Sequence, residues 1–201
     1  EKITSQTSKT DFFKILLTLG ICAFVLAWFY GGFRKESADA FRDEGGFYTK
    51  PAIAPDGTIY VGDRDNRVYA LDPNPNATTR VKWTFTTGGL VLSNPAIAPA
   101  GTPRAGTIYF GSRDGNIYAL NPNGTLQWRY YFGNVYIESG PTVDPVDGTI
   151  YIGSMDGYLN AFYPDRPQNP FKWRYRIPVG GVKFIPLLSH NRENIYVGAE
   201  S

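Results

Sequence analysis

Trp83, Trp128 and Trp173 recur at a single spacing of 45 residues, 83 to 128 and 128 to 173, and each closes a similar block of sequence. A self-similar period of that size points to a repeat array, either propeller blades or solenoid units, because one repeat alone cannot bury its apolar face. The first block reads Pro51-Ala-Ile-Ala, Thr58-Ile-Tyr-Val-Gly62, Arg67-Val-Tyr-Ala-Leu71 and Lys82-Trp83. The second reads Pro95-Ala-Ile-Ala, Thr107-Ile-Tyr-Phe-Gly111, Asn116-Ile-Tyr-Ala-Leu120 and Gln127-Trp128. The third follows with Pro141-Thr-Val-Asp, Thr149-Ile-Tyr-Ile-Gly153, Tyr158-Leu-Asn-Ala-Phe162 and Lys172-Trp173, and a fourth opens at Pro186.

Each block holds four short runs rich in Val, Ile, Tyr, Phe and Thr, separated by Gly, Pro, Asp and Asn, which is the pattern of strands and their turns. Four strands per repeat make a propeller blade. Pro51, Pro95, Pro141 and Pro186 open the first strand, where a missing N–H costs little. Asp56-Gly57 and Asp147-Gly148 mark the first turn; Asp65-Asn66, Asp114-Gly115 and Asp156-Gly157 mark the second. Such pairs supply the positive φ that tight hairpins require. The loop before the fourth strand varies from Asn121–Thr125 to the proline-rich Pro164–Pro170, so insertions are expected on that edge rather than a shared pocket. The expected boundaries are a short tail at 1–14, a membrane span at 15–33, a linker at 34–46 and repeats over 47–201. The repeats divide into blades at about 47–90, 91–134 and 135–181, with a partial blade at 182–201.

Residues 47–201 resemble the pyrroloquinoline-quinone (PQQ) family of β-propellers. Gly106-Thr-Ile-Tyr-Phe-Gly-Ser112 through Asp114-Gly-Asn-Ile-Tyr-Ala-Leu-Asn121 follows the pattern of that repeat almost position by position. The resemblance implies an all-β propeller of four-stranded antiparallel blades in which Trp83, Trp128 and Trp173 dock blade against blade. The family holds both quinone-dependent dehydrogenases and non-catalytic scaffolds, so fold leaves function open. For the dehydrogenases the resemblance implies a calcium-bound quinone, an Asp base and, in many members, a vicinal Cys pair. Cys22 is the sole cysteine, and none of these ligands can be placed in the repeats. A propeller closes with about four to eight blades. Three blades and part of a fourth therefore lead to the expectation that the protein continues past residue 201 or that another chain covers the open side.

Ile15 to Phe33 contains no charged residue. At about 1.5 Å per residue its length approaches the roughly 30 Å of a bilayer core, and it reads as one transmembrane helix. Lys14 and the rings of Phe12, Phe13, Trp28, Phe29 and Tyr30 suit the two interfaces. A cleaved signal peptide has a shorter apolar core, although Ala38-Asp39-Ala40 would serve as a cleavage site. A lipoprotein signal needs a small residue before its cysteine, whereas Cys22 follows Ile21. Gly20, Ala23 and Ala27 share one helical face and offer a close approach to a partner helix. Lys2, Lys9 and Lys14 balance Arg34, Lys35 and Arg42, so flanking charge sets no orientation; the resemblance places the repeats outside the cytoplasm.

From residue 47 onward there are 14 Lys and Arg against 12 Asp and Glu, which is no nucleic-acid footprint. His190 is the only histidine and reads as an exposed loop residue, since a metal or nucleophilic site needs convergent partners. An EF-hand beginning at Asp63 fails, with Val68 where Gly belongs and Asn74 where Glu belongs. No catalytic, cofactor-binding or metal residue is assigned. The expectation is a membrane-anchored, extracytoplasmic scaffold or accessory subunit at a bacterial inner membrane. It would contact lipid and membrane protein subunits, without cofactor or nucleic acid. The alternative is a membrane-bound PQQ-dependent dehydrogenase whose cofactor-binding blades lie elsewhere.

Overall fold

The computed structural model describes residues 47–74, 76–166, 170–178 and 180–200, all within the unit that spans residues 44–201. Residues 15–33, with Gly20, Ala23 and Ala27, lie outside the described residues. Among the described residues every regular element is a strand, and no helix is long and apolar enough to cross a membrane.

Blade 1 comprises β1 (Ala52–Ile53), β2 (Ile59–Gly62), β3 (Arg67–Leu71) and β4 (Val81–Thr86). Blade 2 comprises β5 (Ala96–Ile97), β6 (Ile108–Gly111), β7 (Asn116–Leu120) and β8 (Leu126–Tyr131). Blade 3 comprises β9 (Thr142–Val143), β10 (Ile150–Ser154), β11 (Tyr158–Phe162) and β12 (Phe171–Arg176). Blade 4 is represented by β13 (Leu187–Leu188) and β14 (Ile195–Tyr196). All pairings are antiparallel between sequence neighbours, so each blade is a meander. The first strands lie against one another, β1 by β5 and β5 by β9, which puts them innermost. This is the blade architecture of a β-propeller.

The second residue of the turn after each second strand is left-handed, Asn66 at φ 65° and Gly115 at φ 85°. In blade 2 the Asp before it caps the turn, Asp114 Oδ1 accepting the Asn116 N–H at 3.0 Å; in blade 1 Asp63 does so, its Oδ1 accepting the N–H of Asp65 and Arg67 at 2.8 and 2.9 Å. Loop lengths depart from expectation in one respect. The loop before the fourth strand runs from 121–125 to 72–80, but the first turn varies as widely, from 54–58 to 98–107 in blade 2. That insertion has packed its Pro103 carbonyl beside Gly148 of blade 3.

The core lies in the seams between blades rather than inside any one of them. Strand alternation sends Ile108, Phe110, Tyr118 and Leu120 toward blade 1, where they meet Tyr60, Val68, Ala70 and Val91. Tyr109, Ile117, Ala119 and Trp128 face the other way and meet Ile137, Ile150, Ile152 and Phe162. Blade 2 is thus buried on both faces, and every residue of β6 and β7 is buried.

One steric device recurs at every seam. The glycine at or next to the end of each second strand, Gly62, Gly111 or Gly153, faces a buried branched side chain from the segment leading to the next blade, Val91, Ile137 or Val182. A Cβ on those glycines would fall within 2.6, 2.4 and 2.4 Å of that side chain. The branched residue also donates its N–H to the residue after the glycine, Asp63, Ser112 or Ser154, at 3.0–3.2 Å.

Candidate interaction surface

The three tryptophans occupy one register: Trp83 pairs with Ala70, Trp128 with Ala119 and Trp173 with Ala161, with a pairing irregularity at the next residue each time. Each indole leans on the tyrosine of its second strand, Tyr60, Tyr109 or Tyr151, with centroids 5.6–5.9 Å apart. Their surroundings differ. Trp83 Nε1 donates to Pro122 O of blade 2 at 2.8 Å, and Trp128 Nε1 to Pro164 O of blade 3 at 3.3 Å. Trp128 is 7% exposed, whereas Trp173 is 41% exposed.

Because the strands alternate in direction, each blade puts its second turn and its link to the next blade at one end. The first and third loops lie at the other. At the loop end, Asp56 pairs with Lys82 within blade 1 and Asp147 with Lys172 within blade 3, at 3.8 and 2.9 Å, with Thr58 or Thr149 bonded between them. Blade 2 has no acid in its inserted loop, and there Gln127 Nε2 bonds Thr107 Oγ1 at 2.8 Å without a charge. Burial pushes the Asp147 carboxyl up, but bonds from the Thr149 hydroxyl, Lys172 and the Thr149 N–H outweigh it and bring the pKa down to about 2.

The link end is different in kind. Arg113 bonds Glu138 Oε1 through Nε and Nη2, both at 2.6 Å; Lys183 reaches Glu138 Oε2 at 3.7 Å and Glu200 at 3.1 Å. Arg113, Glu138, Lys183 and Glu200 belong in turn to blade 2, the link into blade 3, the link into blade 4 and blade 4. The Glu138 side chain is almost wholly buried between two cations, and removing Arg113 would leave that desolvated carboxylate with the more distant Lys183. At the same end stand Tyr48, Tyr136 and Phe184, 56%, 53% and 55% exposed. Arg64 lies 3.5 Å over the Tyr48 ring, and Arg113 5.3 Å from the centre of the Tyr136 ring.

Beneath them the inner strands are laced by hydroxyls. Thr49 Oγ1 and Ser93 Oγ accept the N–H of Gly62 and Gly111, each at 2.8 Å. Ser93 Oγ donates to Ser139 O at 2.8 Å, and Ser139 Oγ to Phe184 O at 2.9 Å. Gly88 N–H reaches Asp114 Oδ2 at 2.7 Å, and Tyr118 Oη–H reaches the same oxygen at 2.6 Å. Burial pushes the Asp114 carboxyl up, yet these bonds and those from Asn116 hold it below the usual carboxylate value. The exposed rings therefore project from a bonded base.

Exposed Tyr beside Arg, with an exposed Phe, on a hydrogen-bonded floor, is a composition found in protein-binding surfaces, where aromatic and Arg side chains carry most of the energy. Sequence reasoning missed these residues because they sit in the links and second turns, outside the strand pattern. One signal was available: Arg64, Arg113, Met155 and Glu200 all fall two residues after the repeat glycines Gly62, Gly111, Gly153 and Gly198. His190 is exposed in the turn between β13 and β14. Among the described residues no three His, Cys, Asp or Glu side chains converge as a metal cluster.

No curated protein matches the chain. The crystal structure of BamB from Moraxella catarrhalis aligns with a TM-score of 0.57 and 22% identity, over 78% of this chain and 44% of that one. The WD40 β-propeller domain of Doa1 aligns with a TM-score of 0.58 and 16% identity, over 72% of this chain and 44% of that one. At these identities the likeness is one of fold, and the chain spans less than half the length of either structure. The family described as outer membrane protein assembly factor BamB matches residues 35–169, most of the repeat region, and the chain belongs to that family.

Proposed function

We propose that the chain is an extracytoplasmic, membrane-attached scaffold that binds protein subunits of a larger membrane complex through the link end of its propeller. Membership of the BamB family carries this reading. The rings of Tyr48, Tyr136 and Phe184 on their bonded base supply a surface suited to it. Residues 15–33 act as the anchor, with Gly20, Ala23 and Ala27 turned to a neighbouring helix. Trp83 and Trp128 hold the blades that present the surface, and Trp173 stands in the same register on the side toward blade 4.

Photo-crosslinking residues placed at Tyr48, Tyr136 and Phe184 of the full chain, in its native cells, test the reading. Adducts with an integral membrane protein that are absent when the probe sits at Thr84, on the outer strand of blade 1, are the expected result. Equal labelling from both places would overturn the assignment of the surface. Migration of the protein alone under mild extraction, where known complexes stay intact, would overturn the scaffold reading itself.

A further inference from the structure

Asn123 is the only asparagine in the sequence that precedes a glycine. It is exposed in the turn between β7 and β8, and its side-chain oxygen accepts two bonds from Thr125, the hydroxyl at 2.7 Å and the N–H at 3.1 Å. Asn121 Nδ2 in turn donates to Thr125 Oγ1 at 2.8 Å, which polarises that hydroxyl further. Two donors on one carbonyl oxygen draw charge from its carbon and stabilise the oxyanion formed when a nucleophile adds. The next nitrogen in the chain is that of Gly124, with no Cβ to crowd an approach. The same turn holds the blade 1 tryptophan: Pro122 O accepts Trp83 Nε1–H, and a Cβ on Gly124 would fall 2.6 Å from Trp83 Cδ2.

We propose that Asn123-Gly124 is a self-modifying site, at which deamidation loosens the seam between blades 1 and 2 as the protein ages. The Gly124 nitrogen loses its proton to water and forms a bond to Asn123 Cγ; the bond from Cγ to the side-chain nitrogen breaks, and ammonia leaves. Water then opens the five-membered imide at either carbonyl, to give aspartate or isoaspartate. The isoaspartate form inserts one methylene into the main chain between the two points that hold Trp83. In the intact turn the Gly124 N–H donates to Asn121 O at 2.9 Å, so reaction proceeds through opening of that bond.

Incubation of the full chain at mildly alkaline pH, followed by peptide mapping, tests the site. Asn123 should gain one mass unit about tenfold faster than Asn76, which precedes Ala77. Thr125→Val should slow the gain about threefold by removing the hydroxyl donor, and Thr125→Ser should restore it. The aged species, separated by its new negative charge, should melt earlier and show red-shifted tryptophan emission, a shift that Trp83→Phe removes. An unmodified Asn123, where the free peptide of the same turn deamidates, would overturn the proposal. So would a Thr125→Val protein, folded by circular dichroism, that ages as fast as the parent.

Discussion

Trp128 and Trp173 stand in equivalent registers of their blades' fourth strands, each opposite an alanine and against a second-strand tyrosine, yet one is a core residue and the other lies open. What differs is the neighbour. Trp128 meets the β11–β12 loop of blade 3, whose Pro164 carbonyl takes its N–H, and its strand-mate Tyr130 joins Phe132, Phe162 and Phe171 in a cluster of rings 4.7–6.1 Å apart. Trp173 and Tyr175 look toward blade 4, of which β13 and β14 are described. The repeat motif thus places the indole, while the following hairpin makes it a dock.

The largest effect should separate these two residues. Trp128→Ala is expected to cost about 3–5 kcal/mol in denaturant unfolding of the chain. Trp173→Ala should cost less than about 1 kcal/mol, as an exposed change does. Equal costs would break the comparison. Next in size are the seam glycines. Gly111→Ala drives a methyl into Ile137 and should cost about 1–3 kcal/mol or more. Gly101, at φ 86° with open space around it, should lose only the roughly 1–2 kcal/mol of a left-handed backbone.

Smaller again is the acid limb of blade 3. The Asp147 carboxyl is lowered in the fold, so its contribution is present above the ordinary value near 3.8 and disappears as pH falls toward 2. The pair is partly exposed, 24% at Lys172 and 43% at Asp147, so after screening by water Lys172→Ala should cost under about 1 kcal/mol at neutral pH and nothing measurable at pH 2. Blade 2, with Gln127, should show no such limb. The last effect is silent at neutral pH. Burial pushes the Tyr109 phenol up to about 12, which favours the neutral form in the fold. Its contribution is intact below pH 10 and lost between 10 and 12, and ultraviolet titration of Tyr109→Phe against the parent should locate it. Tyr151, beside the open Trp173, is raised by burial as well and should ionise before Tyr109.

The blades were legible because their signals are local. Asp114-Gly115 states its turn, Thr107-Ile-Tyr-Phe-Gly111 its strand, and Trp128 its period. The inserted first loop of blade 2, Ala98–Gly106, is visible in the sequence, but nothing local in it names Gly148 of blade 3 as its neighbour. The link-end surface was not legible. Tyr48, Tyr136 and Phe184 do not occupy one repeat position, and the pairing of Arg113 with Glu138 spans two blades. Contacts of that kind depend on how one blade is set beside the next, which the glycine and its branched neighbour decide through a distance that no single repeat contains.

That small contact has a consequence for how such arrays change size. Each link carries its own branched plug, and each blade its own matching gap, so a blade copied in tandem brings both halves of the fitting with it. Stability then grows seam by seam, as in arrays whose units touch only their neighbours. A duplicated gene segment whose ends fall within the links would therefore lengthen the array without a new core being invented. By the same token, one added methyl in the gap is enough to make a blade incompatible with the array that produced it.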